Sequence, residues 1–342
     1  MTVRAGARPG RAEAGDAGLA AAEGKGFAVA CDAARIKGYL DGMGVGFVRE
    51  VLTLGEVDST NSYLKRLAEG GGAAGALLVA GSQTAGRGRL GRGWVSKASK
   101  GIYMSMSLAA DGPPECLRLA GMAAAVAVGA VLCEVMGPGP TDGGGSGRPL
   151  AGDGPAISLK WPNDVLCEGR KVCGVLAESG GLGLGGGYLV VGLGINVYNS
   201  VTDFGGPGSD GRADGWGKGG GLGGRATSMA LSDRRLAVRS YRRYAPDGGV
   251  LDVPGYDADL MVSMVAREFG SLYMGLAAGD ASRVVGRFRE RSATPGVCAR
   301  IGADESREEL EALGIDDTGG LRVRDGRGER VLFSGEVTFD GI

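Results

Sequence analysis

The sequence predicts an α/β (α+β) fold followed by a small second unit, and three observations support this prediction. Its 342 residues are 43% hydrophobic, which is enough for one large core and one small one. From about residue 48, segments with helix and strand periodicity alternate. After Thr294-Pro295-Gly296 only short strands with tight turns follow. We therefore expect a large domain over residues 46–292 and a small all-β unit over residues 293–342.

Helical patterns occupy four segments, namely residues 60–69, 116–136, 257–276 and 281–291. The first begins beside the N-cap candidates Asp58, Ser59 and Thr60 and meets a stop signal at Gly70. The second is strongly apolar, but Arg118 interrupts it and no stretch reaches the roughly 20 apolar residues of a membrane span. We interpret it as a buried helix.

Strand patterns occupy two groups of segments. Those of the large domain are residues 76–80, 102–108, 157–161, 171–178 and 188–197. Those of the small unit are residues 297–301, 321–323 and 331–337. A unit of about 45 residues is too small to be stable alone, so we expect it to dock on the large domain.

Two kinds of segment lie outside these patterns. Residues 1–45 lack sustained periodicity and are expected to be a poorly ordered leader, with no room for a winged-helix DNA-binding domain of about 60 residues. Many of the 69 glycines fall in residues 137–154, 180–187 and 204–224. Such stretches bury too little apolar surface to offset their ordering entropy, so we expect disordered inserts or long surface loops there.

Composition excludes several classes of function. Lys+Arg 38 against Asp+Glu 39 gives a net charge of −1, which favours neither nucleic acid nor a membrane surface. The histidine count is zero, which removes Ser-His and Cys-His nucleophilic systems. Six scattered cysteines without a C-x-x-C pair indicate a reducing compartment and argue against a disulfide framework or a structural zinc site. We predict no metal-ligating residues. We expect a cytoplasmic protein, or an organellar one if residues 1–45 act as a targeting leader.

Residues 83–94 read Gln-Thr-Ala-Gly-Arg-Gly-Arg-Leu-Gly-Arg-Gly-Trp. Glycines let a backbone pass close to a ligand, and the arginines Arg87, Arg89 and Arg92 offer donors suited to phosphate or carboxylate. The pattern predicts a cationic flap that orders over an anion, although a solvated basic loop or an Arg-Gly RNA-binding stretch would share it. Neither Gly86-x-Gly88-x-x-Gly91 nor Gly181-x-Gly183-x-x-Gly186 opens a helical pattern, so we reject a dinucleotide fingerprint for both.

Other candidate binding residues fall near the ends or along the faces of predicted elements. The helix start at residues 59–61 can serve as a simple cap or can hydrogen-bond a neutral polar head such as a ureido ring. Lys160 ends a strand in Lys160-Trp-Pro-Asn-Asp164, where its ammonium either snorkels or enters a cleft. Gly192, Gly194 and Asn196 alternate along a strand, so one face is expected to lie against a ligand or another backbone.

Taken in this order, the three motifs resemble the signature set of the biotin–protein ligase family. The resemblance covers about residues 50–200 and resumes at Ser334-Gly-Glu-Val337. It implies a class II aminoacyl-tRNA-synthetase-like catalytic domain with a mixed sheet, followed by an SH3-like barrel. It also implies a two-step reaction, in which biotin and ATP, with Mg²⁺, give biotinyl-5′-AMP and a lysine of a biotin carboxyl carrier domain then takes the biotinyl group. The implied protein is a monomer or homodimer and binds neither nucleic acid nor membrane.

The resemblance implies a role for each candidate residue. The catalytic residues would be Lys160, Arg87 and Arg89. The biotin pocket would contain Ser59, Thr60, Asn61, Gln83, Arg87, Gly88, Arg89, Lys160, Gly174, Gly192 and Gly194. The nucleotide side would contain Arg89, Arg92, Trp94, Lys160, Asn163 and Asn196, together with residues near Glu336.

Two rival interpretations remain. A lipoate–protein ligase or octanoyltransferase shares the implied fold, but those families carry a histidine-bearing motif and this chain has no histidine. An Arg-Gly RNA-binding or scaffold protein would explain the flap and the glycine-rich stretches, but it would leave Lys160-Trp-Pro-Asn-Asp164 unexplained and predicts a basic charge balance.

Overall fold

The structure is a computed structural model and confirms the predicted α/β domain with a small β-unit. It describes residues 29, 31–72, 74–110, 112–137, 154–181, 187–205, 225–233, 235–236, 239–244, 250–293, 298–301, 308–334 and 337–339. The expected glycine-rich inserts at residues 137–154, 180–187 and 204–224 lie almost wholly outside these residues.

A seven-stranded mixed sheet forms the large domain. Its strands are β1 Glu50–Val57, β2 Ala76–Gln83, β3 Gly101–Ala109, β4 Ile157–Lys160, β5 Asp164–Cys167, β6 Arg170–Gly180 and β7 Tyr188–Asn196. The spatial order is β1-β2-β3-β7-β6-β5-β4, with β1 and β2 parallel and every other pair antiparallel. The sequence analysis missed β1, which carries glutamates on its exposed positions, and β5, which has only four residues.

The described helices cover or flank the sheet. They are α1 Ala33–Gly42, α2 Thr60–Glu69, α3 Pro114–Met136, α4 Met229–Ser232, α5 Ala258–Ala277 and α6 Ser282–Glu290. Helix α3 is long and apolar enough to cross a membrane by composition, but 78% of its apolar window is buried inside the protein. It is therefore the buried core helix that the sequence predicted, and it packs against α5 and the sheet.

Helix α1 overturns part of the expected poorly ordered leader. Its Ile36 and Leu40 are fully buried, and Asp32 caps its first turn by accepting from the backbone N–H of Arg35. Arg35 forms ion pairs with Asp257 at 3.0 Å and Asp259 at 2.7 Å, which tie α1 to the start of α5. The expectation is wrong for residues 33–42, because packing against α5 stabilises this helix although its own sequence has no strong helical pattern. Residues 1–28 lie outside the described residues.

The small unit is a five-stranded antiparallel sheet. Its strands are β10 Cys298–Ile301, β11 Glu308–Ile315, β12 Leu321–Asp325, β13 Gly328–Leu332 and β14 Val337–Phe339, in the order β13-β12-β11-β10-β14. The expected single strand over residues 331–337 is wrong, because this region contributes to two strands. A separate hairpin, β8 Ser240–Tyr244 and β9 Val250–Pro254, was not predicted.

The small unit docks on the large domain beside the predicted site. The indole N–H of Trp161 donates to the carbonyl of Gly319 at 3.1 Å. A Cβ at Gly319, whose φ is +79°, would lie 2.5 Å from the Leu119 side chain of α3, so the turn approaches the core too closely for a larger residue. The expected docking is therefore present, and it fixes the turn that follows Lys160.

Candidate functional site

The N-terminus of α2 forms a buried polar pocket with the ends of β2 and the middle of β3. Ser59 caps the helix, and Thr60 and Asn61 are both buried. The side-chain carbonyl of Gln83 accepts from the Thr60 backbone N–H at 2.9 Å and lies 3.2 Å from its hydroxyl. Ser105 of β3, a residue that the sequence analysis did not single out, has its Oγ 2.7 Å from Thr60 Oγ1. The predicted ring-binding residues therefore form one cluster.

Asn61 joins this pocket to the neighbouring strands. Its Oδ1 lies 2.7 Å from Ser105 Oγ, and its Nδ2 donates to the Leu176 carbonyl at 3.1 Å and to Glu178 at 3.0 Å. A Cβ at Gly192 would lie 2.0 Å from Asn61 Oδ1, so glycine is needed there for this close approach. The face of β7 that carries the glycines thus lies against the Asn61 side chain at Gly192. The expectation that this face contacts a ligand or another backbone is wrong at Gly192.

The indole of Trp94 covers the rest of the glycine face. A Cβ at Gly194 would lie 2.3 Å from Trp94 Nε1, and one at Gly174 would lie 2.7 Å from Trp94 Cζ3. Within the described part of the chain, the buried Nε1 of Trp94 has no hydrogen-bond acceptor. The ring of Trp94 therefore forms a wall between the polar pocket and the cations that surround Lys160.

Residues 86–94 form a folded, hairpin-like flap. The Trp94 N–H donates to the Gly86 carbonyl at 2.8 Å, and the Gly88 N–H donates to the Arg92 carbonyl at 2.7 Å. At the tip, Leu90 has φ 55° and ψ 34°, a left-handed conformation that costs a residue with a side chain on the order of 1 kcal/mol, and the side chain is 65% exposed. The predicted loop is thus present, while its mobility without ligand stays a prediction.

Two flap arginines reach opposite sides of the site. Arg87 pairs with Glu178 at 2.7 Å, and Arg89 donates to Asn163 Oδ1 at 3.1 Å. Asn163 is buried and donates to the Val175 carbonyl, so its amide is held in one orientation between the flap and β6. Burial lowers the pKa of the Arg89 guanidinium, and the nearby Asp164 carboxylate opposes this shift.

Cations gather around the end of β4 and the start of β6. Burial lowers the pKa of Lys160; Asp164 opposes the shift, while the charges of Lys171, Arg225 and Arg92 lower it further. Lys171, a residue that the sequence analysis missed, pairs with Asp164 at 2.7 Å and lies 5.4 Å from the centre of the Trp94 ring. Several cations around one carboxylate leave an excess of positive charge, which favours an anionic ligand.

Asn196 is buried in a different neighbourhood. Its Nδ2 donates to the Thr227 carbonyl at 3.0 Å, and the Thr227 N–H donates to the Lys171 carbonyl at 2.9 Å. The residue therefore supports the segment that carries Arg225, and its place in a nucleotide pocket stays a prediction. Residue 336 lies outside the described residues.

Beneath the flap, the polar pocket, the Trp94 ring and the cationic cluster lie side by side in that order. The fold and site together define an α/β domain whose site is suited to a ligand with a neutral polar head and an anionic end. In comparison with known proteins, the model of the biotin/lipoate A/B protein ligase family matches residues 54–196. Over this stretch the chain is similar to the members of that family.

Individual relatives agree with this placement. A biotin--[acetyl-CoA-carboxylase] ligase from Mycobacterium tuberculosis is 34% identical over 174 residues, which are 50% of this chain and 58% of that protein. One from Paracoccus denitrificans is 28% identical over 294 residues, which are 84% of this chain and 100% of that protein. The fold matches a biotin protein ligase from Aquifex aeolicus solved with biotin and ATP, with a TM-score of 0.59 and 24% identity over 85% of this chain and 98% of that one. The chain thus spans little more than half the length of the first relative.

Proposed function

We propose that this chain is an ATP-dependent biotin–protein ligase, which makes biotinyl-5′-AMP and transfers biotin to a lysine of a biotin carboxyl carrier domain. The observation that carries the proposal is the division of the site by the Trp94 ring. On one side lie the Ser59–Thr60–Asn61 and Gln83 groups, suited to a ureido ring, and on the other the cations around Lys160. Biotin has a polar ring at one end and a carboxylate at the other.

The first step needs charge compensation and no general base. A carboxylate is ionised at neutral pH, so its oxygen can attack the α-phosphorus of ATP as the bond to pyrophosphate breaks. Both reactants are anions, and negative charge develops around phosphorus. Lys160, Lys171 and Arg89 supply fixed positive charge at that end of the site.

The second step transfers the acyl group. The neutral amine of the target lysine attacks the acyl carbon and an amide bond forms. AMP leaves with the electron pair of the broken C–O bond, and the nitrogen loses one proton to solvent. A flap that encloses the mixed anhydride protects it from water until that amine arrives. In this proposal Arg87 and Arg89, which anchor the flap to β6 and to the turn at Asn163, retain the adenylate.

Magnesium enters the proposal as part of the substrate MgATP. Among the described residues no group of three His, Cys, Asp or Glu side chains is arranged to hold a metal ion. The Asp164 carboxylate is already paired with Lys171. The ion would therefore be held mainly by phosphate oxygens, in keeping with its preference for few protein ligands.

Partner and compartment follow from the same proposal. The names of the two ligase relatives point to the carrier domain of acetyl-CoA carboxylase as the acceptor. The cysteines at 31, 116, 133, 167 and 173 are free thiols, which supports a reducing, cytoplasmic-type compartment.

Biotin-dependent ATP–pyrophosphate exchange on the purified chain tests the proposal. We expect exchange with biotin and none with lipoate, followed by labelling of a biotin carboxyl carrier domain. Exchange that depends on lipoate would instead establish the lipoyl branch of the family. No exchange with either acid would reject the adenylation chemistry.

A further inference from the structure

The carboxylate of Glu178, on β6, connects three separate parts of the site. It accepts from Arg87 of the flap at 2.7 Å, from Lys65 of α2 at 2.9 Å and from Asn61 of the pocket at 3.0 Å. Burial raises the pKa of this carboxyl, but the hydrogen bonds from Asn61 and Lys65 and the charge of Arg87 outweigh that effect and hold it below its ordinary value. Glu178 is therefore ionised at neutral pH and faces three donors.

From Glu178 a continuous line of contacts runs through the pocket to the other end of the flap. It passes along the side chains of Asn61, Ser105, Thr60, Gln83 and Ser96 and ends at the carbonyl of Trp94. Each of these contacts is between 2.7 and 3.3 Å long. Both ends of the flap therefore meet the same polar network, one through an ion pair and the other through a backbone carbonyl.

We propose that Glu178 is a positioning residue, which latches the flap to the polar pocket by holding Arg87. The Arg87 side chain is 42% exposed, so the pair is weak and can open for a ligand to enter. Replacement by Gln keeps the shape but removes the charge, and its amide group would face the donors of Arg87, Lys65 and Asn61. This latch would act at the site of the proposed function. Only the measurement of adenylate release rests on that function, and the digestion experiment does not.

Limited trypsin digestion measures the latch without any ligand, because the flap itself carries three arginines. The experiment uses the full chain, and mass spectrometry measures the rate of cleavage within residues 87–92. Glu178→Gln should raise this rate by about fivefold, which is the change expected for loss of one partly exposed ion pair. Glu69→Gln is the matched control, since Glu69 also accepts a hydrogen bond, from Tyr188 at 2.7 Å, but does not contact the flap. Its flap should be cleaved at the wild-type rate.

Two further variants distinguish loss of the ion pair from misfolding of the Glu178→Gln protein. Arg87→Gln removes the same ion pair from the exposed side and should raise cleavage after Arg89 and Arg92 by the same factor. The double variant with Glu178→Gln should add nothing to either single change. Flap cleavage at the wild-type rate in Glu178→Gln or in Arg87→Gln, with an unchanged melting temperature, overturns the latch.

The second readout is the rate at which biotinyl-5′-AMP leaves the protein. It should rise about fivefold in Glu178→Gln and stay unchanged in Glu69→Gln, since an opened flap releases the adenylate. Adenylate release at the wild-type rate from a variant with a loosened flap would overturn the coupling to ligand retention. If the wild-type chain makes no adenylate, the proposed function fails, while the trypsin result still decides whether Glu178 latches the flap.

Discussion

The substitution Gly192→Ala should disrupt the polar pocket through a single steric contact. The new methyl group would lie 2.0 Å from Asn61 Oδ1, and the neighbouring Cγ would be 2.7 Å away. Both distances are far below van der Waals contact, so the Asn61 amide must move by roughly 1 Å. Asn61 is 3% exposed and is hydrogen-bonded to β3 and β6, so it cannot move by this distance without weakening those hydrogen bonds.

The magnitude follows from the hydrogen bonds that Asn61 makes. It accepts from Ser105 at 2.7 Å and donates to Leu176 at 3.1 Å and to Glu178 at 3.0 Å. At about 1 kcal/mol net for each bond, the variant should lose about 2–3 kcal/mol in free energy of unfolding. Biotin binding should weaken by at least about tenfold, since the displaced amide lines the proposed ring pocket.

Urea unfolding and biotin titration measure both effects, and two variants test the reasoning. Gly55→Ala, on strand β1, introduces the same methyl group where no atom lies within 4 Å, and it should change stability by less than about 0.5 kcal/mol. In an Asn61→Ala background the cost of Gly192→Ala should fall below about 1 kcal/mol, because the clashing atoms are gone. A cost of Gly192→Ala that is the same in both backgrounds would refute the assignment of its cause to Asn61.

Three further predictions concern the cations and one carboxylate. Arg89→Gly should speed release of biotinyl-5′-AMP by about 10–100-fold, because a partly buried charged hydrogen bond to Asn163 is lost; the readout is free adenylate and promiscuous lysine labelling. Lys160→Ala and Lys171→Ala should each lower biotin-dependent pyrophosphate exchange by about 10²–10³, as for loss of a preorganised transition-state donor. Hydrogen bonds from Arg66 lower the pKa of Asp58 from 3.8 to about 2. The contribution of Asp58 to the free energy of unfolding should therefore be present above pH 3.8 and lost as the pH falls through about 2. Unfolding of the wild type and of Asp58→Asn at several pH values measures this contribution.

Surface variants provide the controls for these predictions. Arg327→Gly changes an arginine in an exposed turn of the small unit, and Lys37→Ala changes a lysine 41% exposed on α1; neither should alter adenylate release or exchange. Full adenylate retention by Arg89→Gly would show that Asn163 does not anchor the flap. Normal exchange in Lys160→Ala would remove that residue from the reaction. A stability difference between wild type and Asp58→Asn that persists below pH 2 would contradict the assignment of the pKa shift to Asp58.

Sequence patterns predicted elements whose burial is regular. The apolar run of α3, the alternation of β3 and the capped start of α2 each carry a local signal, and each is present with nearly the expected bounds. Strand β1 and helix α1 lacked such a signal. The first is an edge strand with exposed glutamates, and the second is held by burial of Ile36 and Leu40 against α5. Elements of this kind depend on partners that are distant in the chain.

The candidate site divides in the same way. The flap arginines and Lys160 could be identified as candidate site residues from the sequence. A glycine-rich cationic loop and a lysine at the end of a strand can both be recognised from the order of residues alone. Lys171 and Glu178 could not, because an ordinary lysine or glutamate on a strand acquires a role only through its neighbours in space. Those neighbours are Asp164 and Trp94 for Lys171, and Arg87, Lys65 and Asn61 for Glu178.

The sequence by itself determined the elements whose burial is regular, the lack of histidine side chains and the three motifs that resemble the family. Only the tertiary structure decided what the glycines of β6 and β7 face. Gly174 and Gly194 make room for the Trp94 ring and Gly192 makes room for Asn61, although a bare alternation of glycines would equally fit contact with a ligand. The physical reason is that glycine shows where a side chain must be absent, while the atom that fills the space belongs to a residue brought there by the fold.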